Sequence, residues 1–142
     1  MEKVLVEFID TLDRSFKKLL TEAGSISKVS QLTISQFQYI SAIQELNEPT
    51  ITKISLHLSI AKASVSTGVS KLIDKGFVTK TQSDKDKRVF YLRLTEVGQK
   101  LMAARQKAFQ EYIAFINTSL TPEEAQQLET ILAKLVTLFS QQ

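Results

Sequence analysis

The chain has 142 residues, enough for one compact domain or for a small binding module flanked by dimerising helices, but too few for a two-domain enzyme. Apolar residues make up 43% and charged residues 23%, as in folded globular proteins, and the net charge of +3 is too small by itself to indicate a polyanionic partner. The absence of cysteine excludes disulfides and thiolate metal sites, and one histidine, His57, is too few for a transition-metal site, so we expect neither metal nor cofactor.

An amphipathic helix is predicted over residues 2–22, because its apolar residues recur at spacings of three, four and one. The polar run at 25–31 should end it. No stretch of the chain approaches the roughly 20 apolar residues that cross a bilayer, and Glu2, Glu7 and Asp10 stand where a signal peptide is basic. We therefore expect a cytoplasmic protein without a membrane partner.

Two helices are predicted next from their start signals. Thr33 and Gln36 have the spacing of a capping box, which predicts a helix over 34–46. Thr50 follows a turn and is a plausible N-cap for a short helix over 51–58.

A further helix is predicted over 61–75, with Gly76 in the left-handed conformation that ends many helices. The apolar period then changes from 3.6 to 2. Residues 77–82 and 88–94 are rich in β-branched and aromatic residues and flank the polar turn 83–87, which predicts a β-hairpin projecting as a wing.

Two long helices are predicted at the carboxyl end. Thr95 can cap a helix over 96–118, and Thr121, followed by proline and by Glu124 at the capping-box position, begins a helix over 122–140. The apolar stripe of this last helix is too wide for one contact, which indicates a second subunit, although a monomer wrapped by its terminal helices stays open as an alternative.

The positive charge is concentrated in the middle of the chain. Residues 51–93 hold nine lysines and arginines against three acids, a net +6, which leaves −3 for the rest. A basic centre between acidic ends is typical of a nucleic-acid-binding module, and a merely solvated basic surface is the alternative.

Helix, turn, helix and basic hairpin in this order predict a winged helix-turn-helix. Opposite its apolar stripe, the helix over 61–75 carries small, hydroxyl-bearing or basic residues and no acid, as a helix in the major groove requires. The candidate DNA-binding residues on this helix are Lys62, Ala63, Ser64, Ser66, Thr67, Ser70 and Lys71.

The hairpin supplies the other candidates, Lys80, Lys85, Lys87 and Arg88. Cations crowded at a tight turn favour phosphates and the narrow minor groove. Either Asp84 or Asp86 can hold Arg88 extended through a charge-assisted hydrogen bond. An ordinary charged turn remains the alternative.

With these residues in view, the chain resembles the MarR (multiple antibiotic resistance regulator) family of winged helix-turn-helix transcription regulators. The motifs are Leu32-Thr33 with Gln36, Ser64-Val65-Ser66 with Leu72, Lys75-Gly76-Phe77-Val78, Asp86-Lys87-Arg88, and Leu94-Thr95 with Gly98. The resemblance implies a homodimer built by interleaved terminal helices, a recognition helix over 61–75 and Arg88 as the minor-groove residue. It also implies a small aromatic or anionic effector, because the cysteines and histidine clusters of thiol-sensing and zinc-sensing members are absent.

Two positions depart from the family pattern. Lys80 stands where arginine is usual, which keeps the charge but loses the bidentate geometry. Ala61 stands where the recognition helix often has a capping hydroxyl, so either Ser59 substitutes or the helix start is frayed.

The fold class expected is mainly α with a small β-hairpin wing, in a single domain over 1–142 with a winged-helix core at about 33–95 and dimerisation helices at about 2–22, 96–118 and 122–140. The function expected is a repressor that binds a pseudo-palindromic operator in double-stranded DNA as a homodimer and is released by an effector. The alternative is a winged-helix module that binds protein or RNA. An enzyme is not expected, because no nucleophile, base and orienting group converge in the sequence.

Overall fold

The computed structural model describes residues 1–24 and 32–141, and the predicted polar run at 25–31 lies outside them. The described residues form six helices and one two-stranded antiparallel sheet, which confirms the predicted fold class. The elements are α1 (Glu2–Gly24), α2 (Ile34–Leu46), α3 (Ile51–Leu58), α4 (Lys62–Asp74), β1 (Val78–Gln82), β2 (Phe90–Leu94), α5 (Glu96–Ser119) and α6 (Pro122–Ser140). Over these residues no helix is both long enough and apolar enough to cross a bilayer.

The chain divides into two compact units, Met1–Arg105 and Gln106–Gln142. The first unit contains the winged helix-turn-helix, whose core is formed by apolar residues of α1, α2, α3, α4, the hairpin and the start of α5. The largest fully buried side chains of this core are Phe77, Leu20, Ile40, Ile43, Ile54, Leu72 and Leu101. The second unit consists of the end of α5 and all of α6.

The predicted capping residues hold the helix starts in place. Thr33 accepts a hydrogen bond from the Gln36 backbone N–H at 3.2 Å, and the Gln36 side chain accepts one from the Thr33 N–H at 3.1 Å. The Thr50 hydroxyl accepts from the Lys53 N–H at 3.2 Å. Each bond satisfies a backbone donor that the helix itself leaves unpaired, which confirms the predicted starts of α2 and α3.

The start of α4 differs from the prediction. Ala61 occupies the N-cap and makes no side-chain capping bond, so the helix begins at Lys62 and not at 61. Ser59 does not substitute as the cap, because it is the C-cap of α3, in the left-handed region with a φ of 53°. The turn between α3 and α4 thus uses Ser59 to end one helix and leaves the next uncapped by a side chain.

The end of α4 has the predicted glycine signal. Gly76 has a φ of +82°, a backbone conformation that residues with a side chain rarely adopt. The Gly76 N–H donates to the Ile73 carbonyl and the Phe77 N–H to the Leu72 carbonyl, both at 3.0 Å. These paired bonds are a Schellman motif, which turns the chain directly into the hairpin.

Two helices of the winged-helix core, α2 and α4, approach each other closely at Gly68. A Cβ atom at this position of α4 would overlap the Tyr39 ring on α2. Tyr39 is buried, so its ring cannot swing into solvent to make room. Gly68 is therefore needed for the observed packing of α4 on α2.

The hairpin pairs Val78 with Leu94 and Gln82 with Phe90, and its strands are shorter than predicted. The predicted alternation of buried and exposed residues is limited to the end of β2, where Leu92 is buried between exposed neighbours and Leu94 is half-buried, and Val78 is the one buried residue of β1. The core covers the sheet only near its base, where the Leu92 N–H also donates to the Pro49 carbonyl at 2.9 Å. The rest of the hairpin projects, as a wing does.

The two long helices also begin at the predicted caps. The Thr95 hydroxyl accepts from the Gly98 N–H at 3.2 Å and donates to the Gly76 carbonyl at 2.6 Å, so one side chain joins the start of α5 to the end of α4. Thr121 and Glu124 form the complete predicted capping box of α6.

Candidate nucleic-acid interface

The exposed face of α4 carries all seven candidate residues predicted on this helix. The opposite face, with Val65, Val69 and Leu72, is buried in the core of the first unit. The exposed residues are Lys62, Ala63, Ser64, Ser66, Thr67, Ser70 and Lys71. The helix therefore presents small polar side chains and two cations to solvent.

The wing holds Arg88 in a defined orientation through Asp86. The Arg88 Nε and Nη2 groups each donate to an Asp86 carboxylate oxygen at 3.1 Å, and the Arg88 backbone N–H donates to the same carboxylate at 3.0 Å. These bonds lower the pKa of Asp86, chiefly through the Arg88 side chain and then through its backbone N–H. The sequence left open whether Asp84 or Asp86 orients Arg88. In the structure it is Asp86.

Arg88 remains available for a partner despite this pair. Its side chain is 91% exposed, and a guanidinium has five donors, of which Asp86 takes two. Asp84 has a different neighbour, the Lys87 Nζ at 3.9 Å. The wing tip therefore keeps exposed cations that its own acids orient and only partly neutralise.

Lys80 lies over the ring of Phe90, with its Nζ 5.0 Å from the ring centroid. The arrangement is a cation–π contact between the two strands. Phe90 therefore limits the positions that the flexible Lys80 side chain can take.

Not all of the central positive charge is free for a partner. Lys75 donates to the Gln36 side chain at 3.3 Å, and Arg93 forms an ion pair with Glu48. Both basic groups connect elements of the first unit to each other. The net charge of the segment therefore overstates the charge available at its surface.

The wing and α4 meet at a surface concavity of about 500 Å³. Lys62, Ala63 and Ser66 of α4 line it together with Arg88 and Phe90 of the wing. A second concavity of about 460 Å³ contains Ser64, Thr67 and Lys71. Four predicted residues line neither concavity, namely Ser70, Lys80, Lys85 and Lys87, so the structure brings only part of the predicted set together.

Four serines and threonines that the sequence reasoning did not place at the interface lie beside α4. Thr50 and Thr52, at the start of α3, line the first concavity, and Thr33 and Ser35, at the start of α2, line the second. Thr33 and Thr50 had been recognised only as caps. A helix start with free N–H groups suits phosphate, but the sequence does not reveal which helix starts face α4.

The His57 side chain lies beside an acidic side chain of α2. Its Nε2 lies 3.3 Å from a Glu45 carboxylate oxygen, across the contact of α3 with α2. Over residues 1–24 and 32–141, no three His, Asp or Glu side chains are grouped so as to hold a metal ion.

Comparison with known proteins identifies the family. A model of the MarR family matches residues 32–90, from the start of α2 to the start of β2. The HTH-type transcriptional regulator YhjH of Bacillus subtilis is 35% identical over 131 residues, which cover 89% of this chain and 72% of YhjH. The chain belongs to the MarR family. It is accordingly a transcription regulator of the helix-turn-helix type and not an enzyme, as the sequence predicted.

Other MarR-like proteins agree with this assignment. The HTH-type transcriptional repressor MdtR of B. subtilis is 25% identical over 129 residues, covering 88% of this chain and 81% of MdtR. The crystal structure of Streptococcus pneumoniae FabT in complex with DNA has a TM-score of 0.73 and 20% identity, with 99% of each chain covered. At that identity the structural likeness shows the fold, which confirms the winged helix.

Proposed function

We propose that this MarR-family chain is a repressor that binds a pseudo-palindromic operator in double-stranded DNA as a homodimer. Helix α4 enters the major groove, and Arg88 enters the adjacent minor groove. The proposed contacts are Lys62, Ala63, Ser64, Ser66, Thr67, Ser70, Lys71, Lys80, Lys85, Lys87 and Arg88. Because DNA is the partner, we expect the protein to act in the cytoplasm.

One observation carries this proposal: the first half of α4 and the Arg88 guanidinium line the same concavity. A duplex that seats α4 in its major groove brings the neighbouring phosphate ridge to Lys62, Thr50 and Thr52. Arg88 lies beyond that ridge, where the minor groove begins. The exposed faces of α4 and the wing therefore suit two adjacent grooves of one duplex.

The chemistry of the surface supports duplex DNA as the partner. The seven proposed contacts on α4 include two cations and no acid. Their small hydroxyl groups let the helix approach the base edges. The Arg88 side chain is oriented by Asp86, and three of its five donors lie outside that pair, which suits the narrow, negative minor groove.

The homodimer is supported by apolar side chains that a single chain leaves in solvent. In α1 these include Val4, Leu5 and Phe8, which are 54–70% exposed. In the second unit, α6 exposes apolar side chains along its carboxyl half, namely Ile131, Leu132, Leu135, Val136, Leu138 and Phe139. A second subunit that covers both sets would remove this apolar surface from water. In this proposal residues 1–142 act as one functional domain, with α1, α5 and α6 as the dimerisation helices.

We also propose release by a small aromatic or anionic effector, on the strength of the family resemblance. The chain has no cysteine and one histidine, so thiol oxidation and zinc capture do not suit it as signals. An effector that changes the separation of the two α4 helices would weaken binding without touching DNA.

A gel shift with the DNA upstream of the chain's own gene tests the proposal. The purified protein should retard this duplex in the presence of excess unrelated duplex. RNA and single-stranded DNA of the same sequence should compete poorly. Equal competition by RNA, or no retardation of any duplex at low salt, would favour the RNA-binding or protein-binding alternative.

A further inference from the structure

We propose that α4 recognises its half-site chiefly through thymine, whose C5-methyl group packs against the side-chain methyl groups of Ala63 and Thr67. The inference rests on the proposed function, since it requires α4 in the major groove. It adds the base that the helix selects and the two residues that select it.

Helix α4 lacks most of the side chains that pair with base edges. None of its 13 residues is Arg, Asn, Gln or Glu. Arg, Asn and Gln make the common bidentate bonds to guanine and adenine, and Glu accepts from cytosine, so Lys62 and Lys71 are the only side chains of α4 that can read guanine in this way. Its one acid, Asp74, is the last residue of the helix and lines neither concavity. The remaining polar groups are serine and threonine hydroxyls, which bond to any base, and two lysines.

The Thr67 hydroxyl is occupied within the helix. Thr67 Oγ1 donates to the Ala63 carbonyl at 3.0 Å, one turn earlier. This bond uses the hydroxyl proton and turns the oxygen onto the backbone. The γ-methyl group is then the part of Thr67 that a partner meets first.

Ala63 places a second methyl group beside the first. Residues four apart lie on one helix face with Cβ atoms about 5–6 Å apart. Ala63 and Thr67 are both exposed, and both line the second concavity with Ser64 and Lys71. The exposed face of α4 therefore has an apolar pair between a hydroxyl and an ammonium group.

Thymine matches this pair because it alone presents a methyl group in the major groove. Contact would bury the thymine methyl between the two side-chain methyls. Burying one such group changes the dissociation constant about fourfold. With one contact in each half-site, the operator as a whole gains about 15-fold, the product of two such factors.

The test begins with selection of duplexes from a random-sequence pool by the purified wild-type protein. Each thymine of the selected consensus is then replaced by deoxyuridine, which differs only in lacking the methyl group. We expect one thymine per half-site to matter, with about a fourfold loss of affinity when one half-site is changed and about 15-fold when both are.

Two variants at the same position separate the methyl group from the hydroxyl. Thr67→Ser keeps the hydroxyl and deletes the methyl, so it should discriminate between the thymine and deoxyuridine duplexes less than the wild type does, through Ala63 alone. Thr67→Val keeps the methyl and deletes the hydroxyl, so it should discriminate as the wild type does. Thr67 is exposed, and neither change disturbs the core.

Equal binding of the thymine and deoxyuridine duplexes by the wild type would overturn the inference while leaving the proposed function intact. Discrimination that is undiminished in the serine variant and disappears in the valine variant would also overturn it, since the hydroxyl would then be the selecting group. A pool that yields no duplex at all would instead refute the proposed function, and the inference with it.

Discussion

Arg88 is oriented before any partner arrives. Its bonds to Asp86 restrict the rotamers of a long side chain that would otherwise lose its freedom on binding. Because Arg88 lowers the pKa of Asp86, the pair is complete above the ordinary carboxyl range and is lost only as the pH falls through the lowered pKa. Arg88 therefore stays oriented at neutral pH.

Replacing Arg88 by alanine should weaken operator binding by at least about thirtyfold, because each of the two subunits loses a contact of about 1–3 kcal/mol, which is about 2–6 kcal/mol in total. Titration of a labelled operator measures the loss, and sedimentation should show the dimer intact. Arg93→Ala is the matched control, since Arg93 is on the same hairpin but pairs with Glu48. Near-native affinity of the Arg88 variant would count against the wing in the minor groove.

Lys71→Ala should cause a smaller loss of affinity and a shallower dependence on salt. If Lys71 neutralises one phosphate per subunit, the slope of log K against log salt should fall by about 1.8 in a dimer. Binding measured across a series of salt concentrations gives the slope. Lys100→Ala, on α5 and paired with Glu96, should leave it unchanged. An unaltered slope for Lys71→Ala would remove Lys71 from the phosphate contacts.

At the scale of elements, the packing of α4 on α2 depends on Gly68. Glycine in a helix normally costs about 1 kcal/mol relative to alanine, so a change to alanine would be expected to stabilise. Here the added Cβ would overlap two atoms of the buried Tyr39 ring, so the cost of overpacking falls in the upper part of its usual range, at about 2–3 kcal/mol. The overlap is the larger effect.

Gly68→Ala should therefore lower the free energy of unfolding by about 1–2 kcal/mol, measured by urea denaturation. Combining it with Tyr39→Leu should cost less than the two single changes added together, because the smaller side chain removes the overlap. Ser70→Ala on the exposed face of α4 is the control. An unchanged unfolding midpoint for Gly68→Ala would contradict the close approach of the two helices.

Most element boundaries were predictable because local side chains determine them. Thr33, Thr50, Thr95 and Thr121 cap the helices that the sequence assigned to them, and Gly76 ends α4 as expected. These signals act within about four residues and need no knowledge of the fold. The start of α4 was missed because Ala61 carries no such signal.

Features that depend on distant neighbours were not predictable. The alternation expected along the hairpin holds only near its base, because burial depends on how far the core extends under β1 and β2. The pairing of Asp86 rather than Asp84 with Arg88 depends on the conformation of the wing turn. The candidate residues of α4 were predictable from helical periodicity, whereas Thr52 and Ser35 came beside them only through packing.

At the scale of the whole molecule, the exposed apolar face of α6 is the feature that a partner subunit should cover. Val136 is 64% exposed, so Val136→Glu leaves the folding of one chain undisturbed but puts a charge into the proposed interface. We expect the variant to sediment as a monomer and to lose operator binding. Thr137→Glu, which adds a charge on the face of the same helix opposite its apolar residues, is the control. A stable dimer of the Val136 variant would place the interface elsewhere.

The affinity of the purified chain for duplexes that differ only in half-site spacing tests most directly whether two α4 helices are held at one separation. We expect the strongest binding, with two chains per duplex, when the half-site centres lie about 10 base pairs apart. Inserting about half a helical turn should abolish the second half-site's contribution, since the half-sites then face opposite sides of the duplex. Equal affinity at every spacing, or one chain per duplex at saturation, would contradict a rigid dimer.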